Sequence, residues 1–132
     1  MPINSKRKGD EGEREFSNLM RDKYDIRITR NLQQTRQGGH DLDGLPGIAL
    51  EVKKRRVITQ AKIRGFWKQA RRQADDVGKE PALAYRGDRE KWRVLVDMGY
   101  FHNNASGILA DLSVQGFLHF LGYCLTSSGE RK

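Results

Sequence analysis

Between Ile63 and Val77 the apolar residues Ile63, Phe66, Trp67, Ala70, Ala74 and Val77 fall on one face of a helix, while Lys62, Arg64, Lys68, Arg71 and Arg72 fall on the others. On either side of this stripe the period shortens. Ile48–Lys54 alternates in the manner of a strand, and Pro81–Tyr85 and Trp92–Val96 are two further strand-like runs joined by the charged turn Arg86–Lys91. A helix set among strands buries its apolar stripe on the sheet they form. The segment therefore packs on a sheet and turns a basic surface to water.

The rest of the chain extends this pattern. From Asp10 to Tyr24 the residues Phe16, Leu19, Met20 and Tyr24 recur at helical spacing, with Glu13 on the inward side and Glu11 and Glu15 well off the stripe. Asp25–Leu32 alternates Ile26 and Ile28 with polar neighbours, as a half-covered strand does. Residues 33–40 are a polar loop. Asp41–Asp43 and Ile48–Lys54, separated by Leu45-Pro46-Gly47, read as a hairpin. The tail from Ile108 to Leu125 is rich in Leu and Phe and is expected to form one or two helices. The order α-β-β-β-α-β-β-α predicts an α/β (α+β) fold with a mixed five-stranded sheet flanked by helices. At 132 residues the chain is expected to be a single domain spanning 1–132, with residues 1–9 a flexible basic arm able to touch phosphates.

A formal charge of +8 attracts polyanions, nucleic acid first and anionic membrane surfaces second. No run has the apolar length of a membrane span, and the N-terminal residues lack the apolar stretch of a secretory signal, which predicts a cytoplasmic protein with no membrane partner. Cys124 stands alone in the sequence, so neither a disulfide framework nor a thiolate metal cluster can form within the chain.

Against this basic background the acids of the hairpin stand out. Along Ile48–Lys53 the residues Ala49, Glu51 and Lys53 share one face and Ile48, Leu50 and Val52 the other. Asp41 and Asp43 share a face of the preceding strand. A four-residue loop, Gly44–Gly47, would set Asp41 opposite Leu50, and a five-residue loop, Gly44–Ile48, would set it opposite Glu51; the expectation is that Asp41 meets Glu51. Carboxylates gathered in a sheet repel one another unless a cation compensates, and oxygen ligands suit Mg²⁺ or Mn²⁺. Lys53 beside them can stabilise negative charge on a phosphodiester.

Asp41 followed on the next strand by Glu51-Val52-Lys53 resembles the PD-(D/E)XK nuclease signature, and Gly9–Phe16, GDEGEREF, resembles the start of the first helix in archaeal-type Holliday junction resolvases and related phage nucleases. The likeness covers residues 9–96. It implies a restriction-endonuclease-like core and a divalent-metal-dependent DNA endonuclease in which Glu13, Asp41, Glu51 and Lys53 are catalytic. The implied metal set is Glu13, Asp41, Glu51 and Val52. The position before the aspartate, usually Pro, is His40 here, which leaves Asp43 as an alternative ligand. The short GDEGERE match points to branched DNA as substrate, with roles in recombination or repair. A less selective phage-type or repair nuclease and a non-catalytic basic DNA-binding module are the competing readings.

Arg30, Arg36, Lys54, Arg55 and Arg56 lie near this site in sequence and suit phosphate contacts, so recognition is expected to follow backbone geometry and DNA shape. Gln69 and Gln73 flank the helical stripe and are expected at the surface, whereas Trp67 and Trp92 occupy core positions. His40, His102 and His119 are read as solvated. Paired cuts in opposing strands require two sites, which predicts a homodimer, with Val114–Leu125 as its candidate interface.

Overall fold

Thr59 opens the long central helix: its side chain accepts the N–H of Lys62 at 3.2 Å, and Gly78 in the left-handed conformation closes the other end. Between these caps runs α2 (Gln60–Val77), with Trp67, Ala70 and Ala74 of the expected stripe buried and Val77 left exposed at the last turn. The computed structural model describes residues 5–30 and 42–125, with side chains for 11–29 and 44–125. In chain order the remaining elements are α1 (Ser5–Tyr24), β1 (Thr29–Arg30), β2 (Leu42–Asp43), β3 (Ile48–Arg55), β4 (Glu80–Gly87), β5 (Arg93–Asp97), β6 (Leu109–Ser113) and α3 (Val114–Phe120).

The strands form one six-stranded sheet in the order β1-β2-β3-β4-β5-β6. All neighbours are antiparallel except β3 and β4, whose parallel pairing is made possible by the α2 crossover. Leu45-Pro46-Gly47 reverses the chain between β2 and β3, with Gly47 at φ 75°, a conformation open to glycine at little cost.

Two apolar layers cover the sheet. On one face Phe16 and Met20 of α1 and Phe117 and Leu118 of α3 pack on Leu50, Val52, Ala82, Ala84, Val94 and Val96. On the other, Trp67 and Ala70 of α2 pack on Leu83, Tyr85 and Leu95, with Ile58, Ile63 and Phe66 at the border. Full burial stabilises a Phe, Leu or Met of these layers by roughly 1.5–3 kcal/mol.

The structure corrects four expectations. The sheet has six strands, not five, because the tail begins with β6, which pairs antiparallel with β5. Its alternation of exposed Leu109, Asp111 and Ser113 with half-buried Ala110 and Leu112 is masked in sequence by the apolar helix that follows at once. The first strand shrinks to Thr29–Arg30, although Ile26 and Ile28 are buried as their alternation predicted. α1 starts at Ser5, so residues 5–9 of the expected arm are helical; residues 1–4 lie outside the described residues. The tail was also expected to hold surplus apolar surface, yet Phe117 and Leu118 are fully buried and Phe120, Leu121 and Tyr123 pack against the same core. Among the described residues no helix is long and apolar enough to cross a membrane.

Candidate active site

Strand β3 carries the chemistry because its alternation sends successive residues to different layers. Glu51 and Lys53 face α2, while Val52 and Lys54 face α1. On the α2 face the Glu51 side chain is 2% exposed and Lys53 Nζ stands 3.4 Å from its Oε1. Lys53 Nζ also lies 5.4 Å from the centre of the Phe66 ring, and the Arg55 guanidinium lies 5.3 Å from it. One aromatic ring thus supports both cations of this face. A carboxylate taken so far out of water is costly unless cations or hydrogen bonds hold it.

The pairing of β2 with β3 decides between the two registers. Leu42 is opposite Leu50, which is the register of the five-residue loop. Asp41 itself lies outside the described residues, as do His40 and Arg36, and the side chains of Asp43 and Arg30 are likewise not described.

The α1 face holds a different assembly. Gly12 is buried where α1 crosses β3, and a Cβ there would meet Lys54 Cβ at 2.9 Å, so only glycine allows this approach. One turn on, Glu15 accepts from Lys54 Nζ at 2.7 Å and from Trp92 Nε1 at 3.1 Å, and Arg86 Nε lies 2.7 Å from its Oε1. The Arg86 Nε–H is close enough for an ion pair but lacks an aligned acceptor. Burial opposes ionisation of Glu15, but the Lys54 hydrogen bond and the charges of Lys54 and Arg86 outweigh it and hold the carboxyl below its usual value. Trp92 meets Phe16 edge to face at 5.1 Å, which ties this network to the core.

These contacts correct the sequence reading in three places. Glu15, expected off the stripe, is the acid that joins α1 to the sheet. The signal was Gly12: counted as part of the packed face, it widens the stripe so that Glu15 borders it beside Leu19. Lys54, expected to hold phosphate, is 12% exposed and committed to Glu15. Gln69 and Gln73 are half-buried on α2 and not at the surface.

Arg55 is half-buried over Phe66 and Arg56 is exposed, so these two of the expected phosphate contacts remain on the described surface. Trp67 and Trp92 are buried, as expected. His102 caps a short turn by accepting from Asn104 N at 3.2 Å, and His119 is exposed.

Glu13 is half-buried on α1, whose packing layer is on the opposite side of the sheet from Glu51. Among the described residues no three His, Cys, Asp or Glu side chains come close enough to share a cation. The donors that β3 supplies are the Glu51 carboxylate and, since the Val52 side chain is apolar and buried, the Val52 main-chain oxygen. All-oxygen donors of this kind suit a hard divalent cation and disfavour a soft one.

Residues 4–115 match the family described as "Phage putative PDDEXK endonuclease". No curated protein matches. Among solved structures, a Holliday junction resolvase, Hjc, from the archaeal hyperthermophile Archaeoglobus fulgidus is similar at 16% identity and a TM-score of 0.49, over 82% of this chain and 98% of that one.

Proposed function

Because this chain belongs to the phage PDDEXK endonuclease family, and is thus a nuclease of the PD-(D/E)XK type with DNA as its substrate, we propose that it is a divalent-metal-dependent endonuclease that resolves four-way DNA junctions. The observation that carries the site is the buried Glu51 with Lys53 3.4 Å away on the same face of β3. In this reading Asp41, Glu51 and the Val52 main-chain oxygen hold the cation, and Glu13, on the α1 side of the sheet, is outside that set. Mg²⁺ or Mn²⁺, when bound, supplies charge neutralisation at the phosphodiester and a lowered pKa for the attacking water. Lys53 holds the phosphate oxygen on which negative charge grows, and the Phe66 ring keeps its ammonium in place. Arg55 and Arg56 continue the cationic track along the strand end.

Two cuts in opposing strands need two such sites, so the acting species is a homodimer. The test is a Mg²⁺-dependent cleavage panel of four-way junction, flap, single-stranded and linear duplex DNA of matched sequence, with light scattering on the same protein. Preferential cutting of the junction by a dimer is the expected result. Equal cutting of all four DNAs would assign a less selective nuclease, and binding without cutting would assign a DNA-binding module.

A further inference from the structure

α2 rests chiefly on β3 and β4 and reaches Leu95 of β5, and beyond its flank an opening is left between the helix and β6. The opening is a groove of about 440 Å³, within the size range of small-ligand sites. Its walls are apolar: Ile63 and the edge of Trp67 from α2, Leu95 from β5 and Leu109 from the edge strand. Leu109 is 41% exposed there. The two ends differ in charge. Arg64 and Lys68, one turn apart on α2 and both exposed, form the helix-side rim. Asp111 and Tyr85 form the opposite wall, with the Tyr85 hydroxyl donating to Asp111 Oδ2 at 2.6 Å and Arg93 Nε donating to Oδ1 at 2.9 Å.

We infer that this groove takes a single unpaired nucleobase of the DNA substrate, with its phosphate toward Arg64 and Lys68 and its amino edge toward Asp111; the inference rests on the nuclease reading above and deepens it. Charge complementarity argues for this occupant. A nucleotide is anionic at its phosphate and offers N–H donors at its base edge, and the groove is cationic at one rim and carries a carboxylate at the other wall. Each Asp111 oxygen keeps a lone pair for a further donor, while its bonds to Tyr85 and Arg93 fix its direction. Stacked and paired bases present no free face to such a slot, so the groove selects a base that is bulged, frayed or at a branch point.

Position in the sheet makes the two sites compatible. In register, Lys53 neighbours Tyr85, and Glu51, Leu83, Leu95 and Asp111 form one row across the face. Three strand spacings separate β3 from β6, about 14 Å at the usual 4.7–4.9 Å each. That is about four nucleotides of a stacked strand. Because α2 covers the middle of this row, a strand must pass around the helix, and the unpaired base should lie at least about four nucleotides from the cut.

The test measures binding without divalent cation, so that it does not depend on cleavage. A duplex with a single 2-aminopurine bulge is compared with the same duplex carrying an abasic bulge and with the fully paired duplex. The base-containing bulge should bind at least about fivefold tighter than the abasic one, with a change in 2-aminopurine fluorescence on binding. Leu109→Trp, which fills the groove, and Leu109→Asn, which removes an apolar wall, should each erase that difference while abasic-bulge affinity holds. Equal affinity for base and abasic bulges in the unaltered protein overturns the inference, as does a preference that both variants retain. A dimer that the Leu109 variants dissociate, with no fluorescence response, would assign the groove to a second copy and also overturn it. Cleavage of the same DNAs with Mg²⁺ separates the two readings. Cutting without base preference removes the groove and leaves the nuclease, whereas base preference without cutting does the reverse.

Discussion

The two faces of β3 each carry a lysine–glutamate pair, and the pairs are built for different work. Facing α2, Lys53 and Glu51 are two residues apart on one strand, at 3.4 Å. Facing α1, Lys54 and Glu15 come from different elements and meet at 2.7 Å, with Arg86 and Trp92 converging on the same carboxylate. The second pair cross-links helix to sheet, so its free energy goes into holding the fold together. The first pair adds no such cross-link, since both members already belong to one strand. A buried acid and cation set side by side on one strand carry a desolvation cost that their own pairing does not turn into a link between elements, which is the arrangement expected where charge is kept for a reaction.

The sharpest way to break this contrast is to neutralise each pair in turn. Glu51→Gln and Lys53→Met should each lower metal-dependent DNA cleavage by about a hundredfold or more, with the thermal unfolding midpoint nearly unchanged in Glu51→Gln and lowered in Lys53→Met, which takes a cation from the buried Glu51 carboxylate. Wild-type cleavage in either variant would move the chemistry elsewhere. Glu15→Gln and Lys54→Met should do the opposite. They should cost about 1–3 kcal/mol of folding free energy by denaturant titration, below the range for fully buried pairs because a third of the Glu15 side chain meets water. Cleavage per folded molecule should hold within a few fold.

The register makes the next distinction. Asp41→Asn should reduce cleavage about as far as Glu51→Gln, while Asp43→Asn should keep most of it; equal loss in both would show that position 41 is not the one that meets Glu51. A smaller effect follows from protonation. Glu15 is held below its ordinary value of 4.5, so its pairing stabilises the fold above that pH and the contribution fades as pH falls through the lower folded-state value. In thermal melts below pH 4.5 the unaltered protein should therefore lose stability more steeply than Glu15→Gln. Parallel curves would mean that the network does not titrate with folding.

The smallest effect is spectroscopic. Burial, with the Asp111 hydrogen bond behind it, pushes the Tyr85 hydroxyl up to about 12 from 10, so its contribution is complete below about pH 10 and is lost as pH rises through 12. Absorbance titration should find one tyrosine ionising near pH 12, absent in Tyr85→Phe. It follows that Tyr85 stays protonated at neutral pH and donates its hydrogen bond to Asp111.

Period and alternation were enough to read much of this protein. The α2 stripe, the β3 alternation that puts Glu51 and Lys53 on one face, the burial of Trp67 and Trp92 and the inward turn of Phe16 and Met20 all follow from local spacing, because a side chain's direction is set by its own backbone. The resemblance added the nuclease family, which the match over residues 4–115 bears out. Other features depend on distant partners. Glu15 finds Lys54, Arg86 and Trp92 from 39, 71 and 77 residues away, and no local pattern records that convergence. β6 becomes a strand because β5 offers it an edge, and the hairpin register is fixed only when Leu42 pairs with Leu50 in the assembled sheet. Sequence determined which way each side chain points from its element, since that is local geometry; tertiary structure decided which charges meet, since that is fixed only when elements far apart in the chain are packed together.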